Sequence, residues 1–133
     1  MKTDQLPRPA KSLPRPERPA AFRVGISAES RAAAFLIAKG FRILARRWRS
    51  PLGEIDIVAR RRHLLVFAEV KTRASLEKAA GSVNLRQRLR IAAAAKIWLA
   101  VLPDDTIRDI RFDAFLVTPG KIPRHIPAAF EAS

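Results

Sequence analysis

The chain has 133 residues and a mass of 14.8 kDa, the size of one ordinary domain, which argues against a two-domain enzyme with a separate cofactor module. It has no cysteine and only two histidines, His63 and His125, far apart in sequence; this excludes disulfides, thiolate nucleophiles and local Cys/His metal motifs, so any metal has to be held by carboxylates. Lys and Arg number 26 against 12 Asp and Glu, a formal charge of +14, and that surplus calls for an anionic partner.

Residues 1–23 carry six basic side chains against Asp4 and Glu17, together with Pro7, Pro9, Pro14, Pro16 and Pro19. The prolines interrupt any amphipathic helix, so the segment reads as a disordered, Pro-rich basic arm. Its +4 leaves +10 of the +14 on residues 24–133, the expected folded domain. No run approaches the roughly 18 apolar residues of a membrane span, and no signal-peptide pattern opens the chain, so a cytoplasmic protein is expected.

Ser27 as N-cap, Glu29 in the first turn and a stop at Gly40 predict a helix over Ser27 to Lys39. A strand from Phe41 to Arg49 follows, with Phe41, Ile43 and Ala45 expected on one face, and Ser50-Pro51-Leu52-Gly53 makes a turn. The second strand starts at Gly53, with Ile55, Ile57 and Ala59 on one face and Glu54, Asp56 and Val58 on the other; Arg60 to Arg62 close it as a hairpin turn. In the third strand Leu64, Val66, Ala68 and Val70 oppose Leu65, Phe67, Glu69 and Lys71, so an apolar row ends in two charges. Gly81 and Ser82 open a helix to about Leu102, its apolar face drawn from Leu85, Leu89, Ala92, Ala93 and Trp98 and its polar face from Arg86, Arg88 and Arg90. A fourth strand from about Ile107 to Val117 ends the order αβββαβ, which predicts an α/β sandwich with a mixed sheet flanked by helices.

Two neighbouring strands of one hairpin can set Asp56 and Glu69 side by side, and two close carboxylates need a cation. Hard oxygen ligands suit Mg²⁺ or Mn²⁺, and an ion held there activates water and stabilises charge on a phosphodiester. Lys71 returns to the face of Glu69 and brings an ammonium to the same place. Glu54 and Glu29 are second-tier ligand candidates. Spacing alone also fits a solvated cross-strand pair, the commoner use of strand Glu and Lys. The end of the most apolar strand is a different setting, because buried charges are expected to be paired or metal-bound.

The stretch Gly53-Glu54-Ile55-Asp56-Ile57-Val58-Ala59, followed by Val66-Phe67-Ala68-Glu69-Val70-Lys71-Thr72-Arg73, resembles the signature of the uncharacterised bacterial UPF0102, or YraN-like, family. The likeness runs from about Gly25 to Phe130 and takes in Ala28-Glu29, Gly40-Phe41 and Arg111-Phe112-Asp113. Members often have Asn where this chain has Arg47. That family is similar to the PD-(D/E)xK nucleases, especially archaeal Holliday-junction resolvases, with the same αβββαβ core. The resemblance implies a restriction-endonuclease-like fold and a metal-dependent endonuclease with Asp56, Glu69 and Lys71 as catalytic triplet, Glu29 as auxiliary acid and Mg²⁺ or Mn²⁺ as cofactor. It also implies a homodimer, since symmetric substrates favour two-fold enzymes.

The arginines Arg46, Arg47 and Arg49, then Arg60, Arg61 and Arg62, then Arg73, and Arg86, Arg88 and Arg90 are candidate phosphate contacts, for DNA rather than RNA. Exposed loop positions are expected for His63 and His125, packing roles for Trp48 and Trp98, and structural ion pairing for Arg111 and Asp113. Two functional readings stand: a divalent-metal-dependent endonuclease cutting DNA, branched or irregular structures included, and a non-catalytic nucleic-acid-binding or adaptor module on a nuclease-like fold. A peripheral membrane protein is the weakest class, because no amphipathic helix accompanies the charge.

Overall fold

The computed structural model describes residues 27–72 and 85–131; the basic arm, Arg73 and the expected helix opening at Gly81 and Ser82 lie outside the described residues. Two helices and five strands follow in the order α1 (Ala28–Ala38), β1 (Arg42–Ser50), β2 (Gly53–Arg61), β3 (Leu64–Thr72), α2 (Leu85–Val101), β4 (Asp109–Val117) and β5 (Arg124–Phe130). The expected αβββαβ core is present, with one further strand. All five strands form one mixed sheet in the order β1-β2-β3-β4-β5. Only the β3–β4 pair is parallel, as a crossover through a helix requires. Among the described residues no helix is long and apolar enough to cross a membrane.

α1 starts where Ser27 Oγ accepts the Ser30 N–H at 3.0 Å. It stops at Gly40, whose φ of 91° suits only glycine and lets Gly40 and Phe41 donate back to Ile37 and Leu36. The helix packs Ala32, Ala33 and Leu36 on one sheet face, against Ile57, Ala59, Val66, Ala68, Phe115 and Val117. α2 covers the other face, setting Ile91, Ala94, Ala95 and Trp98 on Ile55, Val58, Leu65, Phe67 and Phe112. Truncating a fully buried side chain such as Phe67 would cost about 3–5 kcal/mol in lost transfer energy and cavity. β3 alternates as expected: Leu64, Val66, Ala68 and Val70 meet the α1 layer, and Leu65 and Phe67 the α2 layer.

The first two strands correct the expected alternation. Phe41 and Ile43 face α1 whereas Ala45 and Trp48 face α2, because the register with β2 shifts between Ile43 and Ala45. Leu44 is the extra residue of a bulge, which moves Ala45 to the other face, and the left-handed Arg47, with φ 51°, breaks the alternation a second time before Trp48. Ile55 likewise sits in the α2 layer while Ile57 and Ala59 sit in the α1 layer. The phase of β2 therefore breaks at Asp56.

α2 buries Ala92 and Trp98 of the expected face but not Leu85 and Leu89. Ile91, Ala92, Ala94, Ala95 and Trp98 are buried, whereas Leu85 and Leu89 are more than half exposed. A Cβ on Gly53, the first residue of β2, would meet the Arg90 carbonyl oxygen at 3.0 Å. Arg90 thus sits over the start of that strand, and the α2 residues before it leave Leu85 and Leu89 exposed.

β5 is the strand that periodicity did not give. Its pattern is mostly exposed, and it is fastened by polar contacts instead. Arg31 of α1 donates to the carbonyls of Thr118 (3.1 Å) and Lys121 in the turn before it. His125, expected in an exposed loop, is buried: its ring stacks on Phe115 at 4.4 Å and its Nε2 lies 2.7 Å from Asp113 Oδ2. Asp113 is fully buried and also accepts two 2.8 Å bonds from Arg111 and one of 3.0 Å from the Ala128 N–H. The expected ion pair of Arg111 and Asp113 is therefore the anchor of the edge strand.

Candidate active site

The β2–β3 ladder runs from Arg61–Leu64 up to Ile57–Ala68. One residue further along, Asp56 and Glu69 face each other across the point where the pairing ends. β2 remains paired with β1 as far as Gly53, and β3 with β4 as far as Thr72, so the sheet forks between its second and third strands. The fork is held by a side chain: Asp56 Oδ2 accepts the Val70 N–H at 2.8 Å, in place of the backbone carbonyl a continued ladder would supply.

Asp56 and Glu69 lie close enough for each carboxyl to act on the other. The Asp56 carboxyl is pushed up to about 7, first by burial, then by the charge of Glu69 and, more weakly, that of Glu54; the Val70 N–H pulls the other way. Two neighbouring carboxyls in a half-dry site resist ionising together, a cost that a bound cation would relieve. Lys71 is buried, with its Nζ 3.0 Å from Glu69 Oε2. An apolar strand ends in a buried ion pair, and the ammonium is bound to Glu69.

The donor set fits a hard divalent cation. Mg²⁺ is commonly held by one or two carboxylates plus waters and substrate phosphates, and Asp56 and Glu69 supply such a pair. Glu54 is half exposed and pairs with Arg49 at 3.6 Å, close enough to act on Asp56. Among the described residues no group of three or more His, Cys, Asp or Glu side chains converges as a ready-made cage. Glu29 is held by two arginines: it is buried and accepts from Arg47 Nε at 2.8 Å and from Arg46 Nε. Two consecutive strand residues reach one carboxylate because Arg47 has φ 51°, a left-handed conformation that costs a non-glycine residue about 1 kcal/mol and undoes the usual alternation.

The arginines divide by what already holds them. Arg60 is bound to Asp104 and to Thr106 Oγ1 (2.6 Å). Arg61 donates to the Lys39 carbonyl at 2.9 Å and covers the Phe41 ring. Both lie within β2, and only Arg62 with His63 forms the hairpin turn, a correction to the three-arginine turn expected from sequence. His63 is exposed as expected, with Nδ1 2.9 Å from the Thr106 carbonyl. Arg49, Arg62, Arg86 and Arg90 are exposed; Arg88 is half-buried. Trp48 packs edge-on against Trp98 at 5.2 Å, the packing role expected for both. The fork itself, the Val70 N–H and the pairing of Glu29 were not legible in the sequence. The apolar Pro51-Leu52 in a turn was a visible signal that passed unused.

A family model described as "Uncharacterised protein family UPF0102" matches residues 28–117, which include both helices, the first four strands and the fork. Similar curated proteins carry the same family name. One from Rhodopseudomonas palustris (strain BisB5) is 61% identical over 120 residues, covering 90% of this chain and 92% of its own length. Another, from Bradyrhizobium diazoefficiens, is 63% identical over 118 residues, 89% of each chain. A third, from Rhodopseudomonas palustris (strain BisA53), is 56% identical over 132 residues, covering 99% of this chain and 98% of its own.

Proposed function

The chain belongs to the uncharacterised protein family UPF0102, and we propose that it is a divalent-metal-dependent endonuclease of the PD-(D/E)xK type that hydrolyses phosphodiester bonds in DNA, branched or irregular structures included. The observation that carries this reading is the pair of facing carboxyls at the strand fork, with Asp56 pushed up to about 7 and Lys71 3.0 Å from Glu69. A purely structural pair of buried charges is ordinarily neutralised by its partners; this one has two acids to one base.

Asp56 and Glu69 would hold Mg²⁺ or Mn²⁺, with Glu54 beside them, and the bound ion would supply an activated water and charge stabilisation. Lys71, fixed by Glu69, presents an ammonium where negative charge develops on the phosphate. The Val70 N–H keeps the Asp56 carboxylate oriented. The exposed Arg49, Arg62, Arg86 and Arg90 track the phosphate chain. A homodimer would offer two such sites to a symmetric substrate.

Purified protein assayed on linear, single-stranded, flapped and four-way DNA should cleave with Mg²⁺ or Mn²⁺ and not with EDTA. Asp56→Asn and Glu69→Gln should each abolish cleavage while leaving DNA affinity within a few-fold, since neither removes a positive charge. Lys71→Ala should lower turnover more than binding. Salt-sensitive binding without cleavage under any metal would replace this reading with the non-catalytic binding module.

A further inference from the structure

The β1–β2 turn carries an apolar side chain at its tip. Leu52 is 55% exposed, yet the backbone beneath it is fixed. Ser50 Oγ accepts the N–H groups of Leu52 (3.2 Å) and Gly53 (3.1 Å) and donates to the Gly53 carbonyl (2.8 Å). Gly53 packs against Arg90 of α2, where a Cβ would crowd the Arg90 carbonyl oxygen at 3.0 Å. Leu85 and Leu89, both more than half exposed, join Leu52, Ala93, Arg86 and Arg90 to line a groove of about 420 Å³.

The groove lies at the start of β2, the strand that leads to the fork. Leu52 precedes Glu54 by two residues, and Glu54 touches Arg49 and acts on Asp56. Leucines beside guanidiniums match nucleobases carried on a phosphate chain: guanidiniums take the phosphates, and aliphatic wedges enter and unstack base steps. An acidic peptide would satisfy the arginines but leave the leucines exposed.

We propose that Leu52 is a wedge that enters a base step of the nucleic acid held at the fork, and that Leu85 and Leu89 receive the displaced base. The substrate class is then DNA with a step that opens easily, such as a branch point, flap or mismatch, in preference to continuous duplex. This rests on the nuclease reading above and assigns its specificity to a turn outside the carboxylate pair.

The test uses the full chain carrying Asp56→Asn, so that bound DNA stays intact, and four-way or flapped DNA with 2-aminopurine at the branch. Binding is read by anisotropy and unstacking by 2-aminopurine fluorescence. The expected result is a several-fold rise in fluorescence on binding that Leu52→Ser removes and Leu52→Phe keeps, with affinity changed by no more than a few-fold. Binding with no rise, or an equal rise with Leu52→Ser, would overturn the wedge and leave the nuclease reading standing. A fall of many degrees in the Tm of Leu52→Ser without DNA would also overturn it, by showing that the protein itself covers the leucine. Failure of the parent to bind DNA would sink both, and the anisotropy arm separates that case from the others.

Discussion

Asp56 and Asp113 are buried or half-buried carboxyls on the same sheet, and their surroundings drive them in opposite directions. Burial alone would raise both. At Asp113 that effect is outweighed by the fork of Arg111, the Ala128 N–H and the His125 ring, which hold the carboxyl below its usual range. At Asp56 burial adds to the charges of Glu69 and Glu54, against a single opposing N–H, and the carboxyl rises to about 7. Desolvation therefore does not decide what a buried acid is for; the balance of its partners does. Asp113 is saturated with donors and ties β5 to the fold. Among the described residues no cation offsets the charge on Asp56, as the proposed metal and phosphate site would require.

The comparison can be broken most severely at its saturated end. Asp113→Asn leaves Arg111 and His125 without their anion and should destabilise the protein by about 3–5 kcal/mol, measured by urea unfolding. Asp56→Asn should do the reverse. A folded-state value raised from 3.8 to about 7 means the folded chain binds more protons than the unfolded one across that window. The parent therefore loses stability as pH rises from about 4 to 7, while the Asn variant does not. At pH 8 the variant should be more stable by roughly 2–4 kcal/mol, and Mg²⁺ should raise the Tm of the parent more than that of the variant.

The Asp113 cluster should show the opposite slope. Burial, outweighing the pull of Asp113, lowers the His125 value from 6.5, and that of Asp113 is lowered from 3.8. Both contributions are complete above the unfolded values and are lost as pH falls through the folded ones. In Asp56→Asn, where the competing term is gone, stability should fall on acidification below about 6.5, and His125→Gln should remove the first part of that fall. The smallest effects belong to the β2–β3 hairpin. Arg60→Ala breaks a surface clasp to Asp104 and Thr106 and should cost up to about 1 kcal/mol, whereas Arg62→Ala should stay within about 0.5 kcal/mol while still weakening DNA binding.

Much of this was legible because β3 and α1 are locally consistent: caps, periodicity and burial agree, so alternation alone set Glu69 and Lys71 on one face and the hairpin brought Asp56 to them. What periodicity hid had specific causes. The bulge at Leu44 and the phase break at Asp56 come from pairing between strands, which no single segment encodes. β5 carries little apolar pattern because Asp113, His125 and Arg31 fasten it. The first turns of α2 read as core-facing, since the exposure of Leu85 and Leu89 depends on where the helix meets β2. Glu29 showed as an N-terminal acid, but its two arginines became visible only once Arg47 took a left-handed conformation.

The central claim is that the carboxyl at the fork keeps a proton near neutral pH until a cation takes its place. Side-chain carboxyl ¹³C shifts of Asp-labelled protein, followed through a pH titration with and without Mg²⁺, test it directly, with Asp113 as the internal reference in the same spectra. The account predicts that Asp56 titrates near 7 without metal and moves to much lower pH with Mg²⁺, while Asp113 stays ionised and unmoved throughout. An Asp56 that titrates near 3.8 and ignores Mg²⁺ would contradict it.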